Sequence, residues 1–260
     1  LHKEYRRQRQ MCIRDRDAAP FTAHGLETVA EFAEIPTTRN VVGEKVVAIA
    51  EKEGRALEIS YEMRDENQTN QVATNVKQLR NSALLSSTNR IKAVLDSSDI
   101  PAEAAGAAWN ASGADIIDDV ARAIEAIADA EVPGYAADEA TYDYEPDTIL
   151  VPRSVLGAFQ KNQDVRSVYV GDIAHENPVY KGALGTQFMG LNVVAPKYWY
   201  KDKILVTSSD ELGFYSDTRP LSMAGPFDKP ENELVRYQLT RKRIVAVDSP
   251  ASACWITGIK

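Results

Sequence analysis

Residues 59–95 read ISYEMRDENQTNQVATNVKQLRNSALLSSTNRIKAVL, a short alternating strand that runs directly into a long helical pattern. Val72, Val76, Leu79 and Ala83 step by four, three and four, and Leu84, Ile91 and Leu95 continue the stripe in a displaced track. The stripe is thin, and the middle of the segment, RNSALLSSTN, is rich in residues that favour helix weakly. A helix of roughly 30 residues is about 45 Å long. A compact globule of this chain's length has a radius of gyration near 18 Å and is itself only about 45 Å across. The helix therefore spans the molecule with little core to enter, and it requires neighbours.

Before it, residues 29–60 read as extended chain. Residues 45–50 (KVVAIA) and 55–61 (RALEISY) flank Glu51-Lys52-Glu53-Gly54, a pattern that predicts a hairpin with glycine at the turn. So few large apolar residues make such a hairpin marginal alone; it reads as a simple surface loop or, more sharply, as an arm lying on another subunit. After the long helix, residues 97–113 form a turn-rich connector. A second helix is predicted over 114–130, where Ile116, Ile117, Val120, Ile124 and Ile127 share one face. Asp115, Asp118 and Asp119 fall in its first turn, which suits the helix dipole.

Strands are predicted at 148–151, 165–170, 191–195, 203–207 and 212–215, with a helix opened by Pro152 and a Gly-rich stretch over 171–190. This alternation predicts an α/β or α+β unit over 101–217. The closing segment changes character: 233–247 is one long extended run, neither face of it purely apolar, and 251–259 adds a hydrophobic terminal strand.

Composition alters this picture in one place. The chain has 260 residues, 44% hydrophobic and 26% charged, with a formal charge of −8. Residues 1–16 hold six basic and two acidic residues with no apolar period. A basic disordered tail that binds nucleic acid is one reading; the favoured one is that the hexapeptide MCIRDR is a translated sequencing-adaptor sequence, so the segment is expected to be foreign and disordered. Setting it aside leaves 24 basic and 36 acidic residues, a charge of −12, and Cys254 as the remaining cysteine. Such an acidic chain is a poor nucleic-acid binder by net charge. A lone cysteine allows no intrachain disulfide and suits a reducing compartment. No apolar run is long enough to predict a membrane helix.

Candidate chemistry is sparse. A nucleophile–histidine–acid arrangement would have to use His24 or His175, and His175 with Asp172 and Glu176 lacks zinc-ligand spacing. The acids from Asp138 to Asp147 miss the spaced calcium loop, and GALGTQFMG at 182–190 lacks either phosphate-loop spacing. Arg241-Lys242-Arg243 reads as a solvated or intersubunit ion-pairing cluster. No catalytic, metal or cofactor-binding residue is expected, and no cofactor.

The order of parts carries a resemblance. An extended arm leads through ISYEM into the long polar helix; ILVPRSVLGAFQKN and GLNVVAPKYW follow, and the chain closes on long strands. This is similar to tailed-phage major capsid proteins of the Hong Kong 97 type. The resemblance implies an α+β fold with a remnant N-terminal arm (17–28), an extended loop (29–61) and a spine helix of the peripheral domain (62–100). It further implies an α/β axial domain (101–217) and peripheral-domain strands (218–260). It implies a structural protein that self-assembles through hexamers and pentamers into an icosahedral shell in the host cytoplasm, encloses double-stranded DNA without reading its sequence, and forms part of the virion. Scaffold, portal and maturation protease would be partners, and no membrane would be involved. Subunit contacts are then expected at Lys45, Lys52, Leu79, Leu84 and Ile91. Some family members form a Lys–Asn isopeptide, for which Lys45 or Lys52 with Asn232 are the counterparts, assisted by Glu231 or Glu233. An encapsulin-type compartment shell shares the fold and is the nearest alternative; a soluble α/β enzyme is the second.

Overall fold

The computed structural model describes residues 11–17, 28–29, 35, 37, 42–66, 69–111, 113–132, 140–157, 162 and 187–260. In chain order the strands are β1 (Met11–Asp17), β2 (Val42–Ile49), β3 (Glu51–Ser60), β4 (Ala102–Ala104), β5 (Thr148–Leu150), β6 (Gln187–Phe188), β7 (Leu191–Val194), β8 (Lys203–Thr207), β9 (Gly213–Lys229), β10 (Leu234–Val247) and β11 (Ala253–Thr257). The helices are α1 (Tyr61–Asp65), α2 (Thr69–Asp96) and α3 (Ile116–Ala128). They build two sheets beyond the β1–β2 pair: a three-stranded sheet ordered β3-β10-β9 and a six-stranded sheet ordered β4-β11-β8-β5-β7-β6.

The main core lies under the six-stranded sheet. One face of α3 (Ile116, Val120, Ala123 and Ile127) packs with Ile149, Ile204, Val206 and Ile256, all fully buried. Helix α3 starts where it does because the Asp115 side chain accepts from the Asp118 backbone N–H at 3.0 Å. Asp119 does something the helix pattern did not suggest. It is 3% exposed and accepts from the Gly106 N–H at 2.9 Å and the Trp109 indole N–H at 2.8 Å, with Arg122 closing the third side. The connector at 105–109 is thus pinned to the helix by one carboxylate.

Helix α2 has 28 residues and is about 42 Å long. It ends at Asp96, and a second core (Leu95, Ile100, Leu205, Val247, Ala253 and Trp255) fastens that end to the six-stranded sheet.

Four expectations are corrected. Residues 11–16 are not wholly without structure, since Met11–Asp17 pairs antiparallel with Val42–Ile49; β2 offers an unpaired edge, and an extended segment completes it. Strands β2 and β3 are not a hairpin. Gly54 is not a turn residue but stands inside β3 opposite Thr240, because β3 pairs along its whole length with β10. A side chain there would meet the Leu239 carbonyl oxygen and the Thr240 methyl at 3.1 Å. The terminal strand β11 does not join the long strands but enters the six-stranded sheet between β4 and β8. Strand β9 runs on to Lys229, far past the expected end at Tyr215. The expected strand at 165–170, the stretch 171–186 and His24 and His175 lie outside the described residues.

Candidate assembly surface

Helix α2 lies on one face of the three-stranded sheet. Arg241 of β10, 7% exposed at its side chain, makes the joint: its Nε donates to Glu53 Oε2 of β3 at 2.7 Å, and its guanidinium also reaches Ser87 of α2. Arg90 of α2 pairs with Glu51. Two members of the cluster expected to be solvated or intersubunit are therefore paired within the chain, since Arg243 holds Asp217 at 2.6 Å as well, and Lys242 between them has no ion-pair partner among the described residues. Between helix and sheet remains a cavity of about 620 Å³ lined by Leu79, Ala83, Leu85, Leu221, Leu239 and Arg241, among others.

The helix divides its apolar residues between two directions. Leu79 is 7% exposed and faces this layer, whereas Val76, Leu84 and Ile91 are 44%, 42% and 37% exposed. Leu84 follows Leu79 by five residues, about 140° around the helix. Of the displaced stripe seen in the sequence, Leu84 and Ile91 thus lie on a second face that no described residue covers, whereas Leu95 enters the second core.

Strand β9 has the same character on a larger scale. Its 17 residues run alongside the 14 of β10, so three extra residues are taken up as single-residue bulges on β9. From Tyr215 to Asp228 every residue is exposed, including Leu221, Met223 and Phe227. A strand exposed on both faces gains almost nothing from burial in its own chain. Pro220, Pro226 and the bulges interrupt its outer edge, which disfavours open-ended strand addition. The whole chain exposes 17,720 Å². A compact protein of 28.7 kDa would expose about 11,300 Å².

Of the expected contact residues, Lys45 lies on β2 opposite Asp15, and Lys52 lies exposed on β3 opposite Lys242. Asn232 closes the turn Pro230–Asn232 at the far end of the same sheet. Lys52 and Asn232 are separated by most of the length of β10, about 27 Å. The structure does not bring them together within one chain.

The junction between the layers is aromatic. Tyr200 packs edge-on against both Trp199 and Trp255, and Lys203 stands over the Tyr200 and Trp255 rings at 4.1 Å. Lys203 Nζ also donates to Asp96 Oδ1 at 2.7 Å. Partial burial alone would raise the Asp96 carboxyl, but hydrogen bonds from Lys203 and Tyr200 outweigh it and hold it below the ordinary carboxylate range. Burial, then Asp96, pushes the Tyr200 hydroxyl well above its ordinary value. Cys254 is buried, which pushes its thiol up to about 11 and leaves it protonated. Among the described residues no group of three His, Cys, Asp or Glu side chains could hold a metal ion, and no helix is long and apolar enough to cross a membrane.

Paired charges, a lattice of backbone pairing and large uncovered faces define a structural subunit, a part made to be completed by other parts. The sequence profile of the phage capsid protein family matches residues 43–241, and the chain belongs to that family. No curated protein matches the sequence. Solved structures share the fold at low identity. A chain of the Gordonia phage Cozz structure has a TM-score of 0.60 at 11% identity, covering 95% of this chain and 79% of that one. A virus-like particle of Pyrococcus furiosus gives 0.59 at 8%, covering 95% and 86%. A phage-related protein of Bordetella bronchiseptica gives 0.54 at 16%, covering 85% and 78%. The fold is the Hong Kong 97-type capsid fold.

Proposed function

We propose that this chain is the major capsid protein of a tailed phage and has no enzymatic role. Copies of it assemble through hexamers and pentamers into the icosahedral head, in the host cytoplasm, around double-stranded DNA that they do not read. The observation that carries this is strand β9, paired on one side only and exposed on both faces over most of its length. A chain working alone would have no use for it. The arm of β2 and the outer face of α2 serve the same end, as contact surfaces toward neighbouring copies. Scaffold, portal and maturation protease belong to this reading as assembly partners. So does the Lys–Asn crosslink from Lys45 or Lys52 to Asn232; for Lys52, its separation from Asn232 supports a bond between different subunits.

The likeness to a virus-like particle of Pyrococcus furiosus favours one second reading, a compartment shell. Sedimentation of the expressed chain, followed by nuclease treatment of the particles, tests both. Large closed particles are expected, and heads filled in their host protect genome-length DNA. Particles that instead retain a co-purifying enzyme support the compartment reading. A monomer under all assembly conditions contradicts both.

A further inference from the structure

The register of the three-stranded sheet places three cations in one row. Lys242 of β10 stands directly opposite Lys52 of β3 on one side and Arg219 of β9 on the other. Directly opposed residues share a face, with Cβ atoms about 5 Å apart, and like charges so placed repel. Arg241 points to α2, so by strand alternation its neighbour Lys242 points away from the helix, onto the open face of the sheet.

The row is unusual within its own sheet. Each arginine of β10 holds a carboxylate in the same chain: Arg236 with Glu58, Arg241 with Glu53 and Arg243 with Asp217. Among the described residues no carboxylate pairs with Lys52, Lys242 or Arg219. The neighbouring row on that face, Gly54-Thr240-Ser222, is small and leaves the approach open.

The complementary charge lies at the other end of the same sheet. Asp228, Glu231 and Glu233 surround the β9–β10 turn, are exposed, and have no cationic partner among the described residues; Lys229 offsets one of them. The row and the turn are about 30 Å apart along the strands, so one chain cannot neutralise itself.

We propose that the Lys52–Lys242–Arg219 row receives the acidic β9–β10 turn of a second copy. The contact joins two different patches, row to turn, and is therefore heterologous; it builds a ring when its rotation closes. It rests on the shell reading and names a contact within the shell. Because these charges are exposed, apart from the half-buried Lys242, assembly through this contact weakens with salt.

Charge exchange tests it, with assembled fraction read by sedimentation velocity and subunit melting read by circular dichroism. K242E alone, and E231K/E233K together, are each expected to raise the concentration needed for assembly by about tenfold. All three changes in one chain are expected to restore it. K242E should also raise the melting temperature of the unassembled subunit by about 1–3 °C, because it relieves repulsion within the row. Normal assembly of both partial variants overturns the proposal, as does lost assembly that the combined variant fails to restore. If K242E assembles normally but loses affinity for a short DNA duplex, the row belongs to DNA and the proposal falls. A wild-type chain that never assembles removes the shell reading and this contact with it; wild-type shells with unaffected variants remove the contact alone.

Discussion

The joint made by Arg241 predicts an asymmetric response to losing either partner. The Arg241 side chain is 7% exposed and that of Glu53 27%. Removing Glu53 leaves the more deeply buried charge without its hydrogen-bonded carboxylate, with the Ser87 hydroxyl as its remaining hydrogen-bond partner among the described residues. Breaking a buried pair in this way costs about 3–5 kcal/mol. Removing Arg241 orphans the better-solvated Glu53, and about 2–3 kcal/mol is expected after allowing for its access to water. Replacing both by methionine removes the orphaned charge and fills the same space. The double variant E53M/R241M should therefore be more stable than either single variant and lie within about 1–2 kcal/mol of wild type. Urea denaturation of the unassembled subunit, followed by circular dichroism, gives the whole cycle. Equal losses for the two single variants, or a double variant whose loss is the sum of both, would refute the claim that the pair holds helix and sheet together as a unit.

Three further outcomes follow from the same geometry. Leu79→Asp puts a charge into the buried layer and should unfold or strongly destabilise the subunit, whereas Leu84→Asp changes an exposed face; it should melt within about 2 °C of wild type yet abolish particles under the electron microscope. Asp119→Ala leaves the Gly106 N–H and the buried Trp109 N–H without their acceptor, for a loss of about 2–5 kcal/mol in chemical denaturation, with Asp119→Asn losing less. The hydrogen bond from Arg243 holds the Asp217 carboxyl below its ordinary value. Its contribution is therefore complete above about pH 4 and is lost as pH falls through the depressed folded value; Asp217→Asn should flatten the acid limb of a stability–pH curve and change nothing at neutral pH beyond a constant offset.

Local signals in the sequence located what local chemistry decides. The end of α2 at Asp96, the apolar face of α3, and strands β7 and β8 follow from periodicity and short apolar runs, whereas Asp115, read as a first-turn residue, is the cap itself. Long-range pairing decided the rest. Glu51-Lys52-Glu53-Gly54 has the composition of a turn, but its partner is β10, some 190 residues later, and pairing there overrides the glycine. Strand β9 contains two prolines and no alternation, and it is extended only because β10 holds it through three bulges. Helix α2 showed its two faces as a displaced stripe, although which face turns inward was not readable. The cationic row has no sequence signature, since its members are 167 positions apart from Lys52 to Arg219 and 23 from Arg219 to Lys242 and meet only through register.

On the proposed reading, copies of the same chain finish the uncovered faces of this subunit. A cryo-electron microscopy reconstruction of the assembled particle, at a resolution that places side chains, tests it most directly. Val76, Leu84 and Ile91 on α2, and Leu221, Met223 and Phe227 on β9, are expected to be buried against adjacent subunits in a closed shell. A closed shell in which these residues remain open to solvent would contradict the claim.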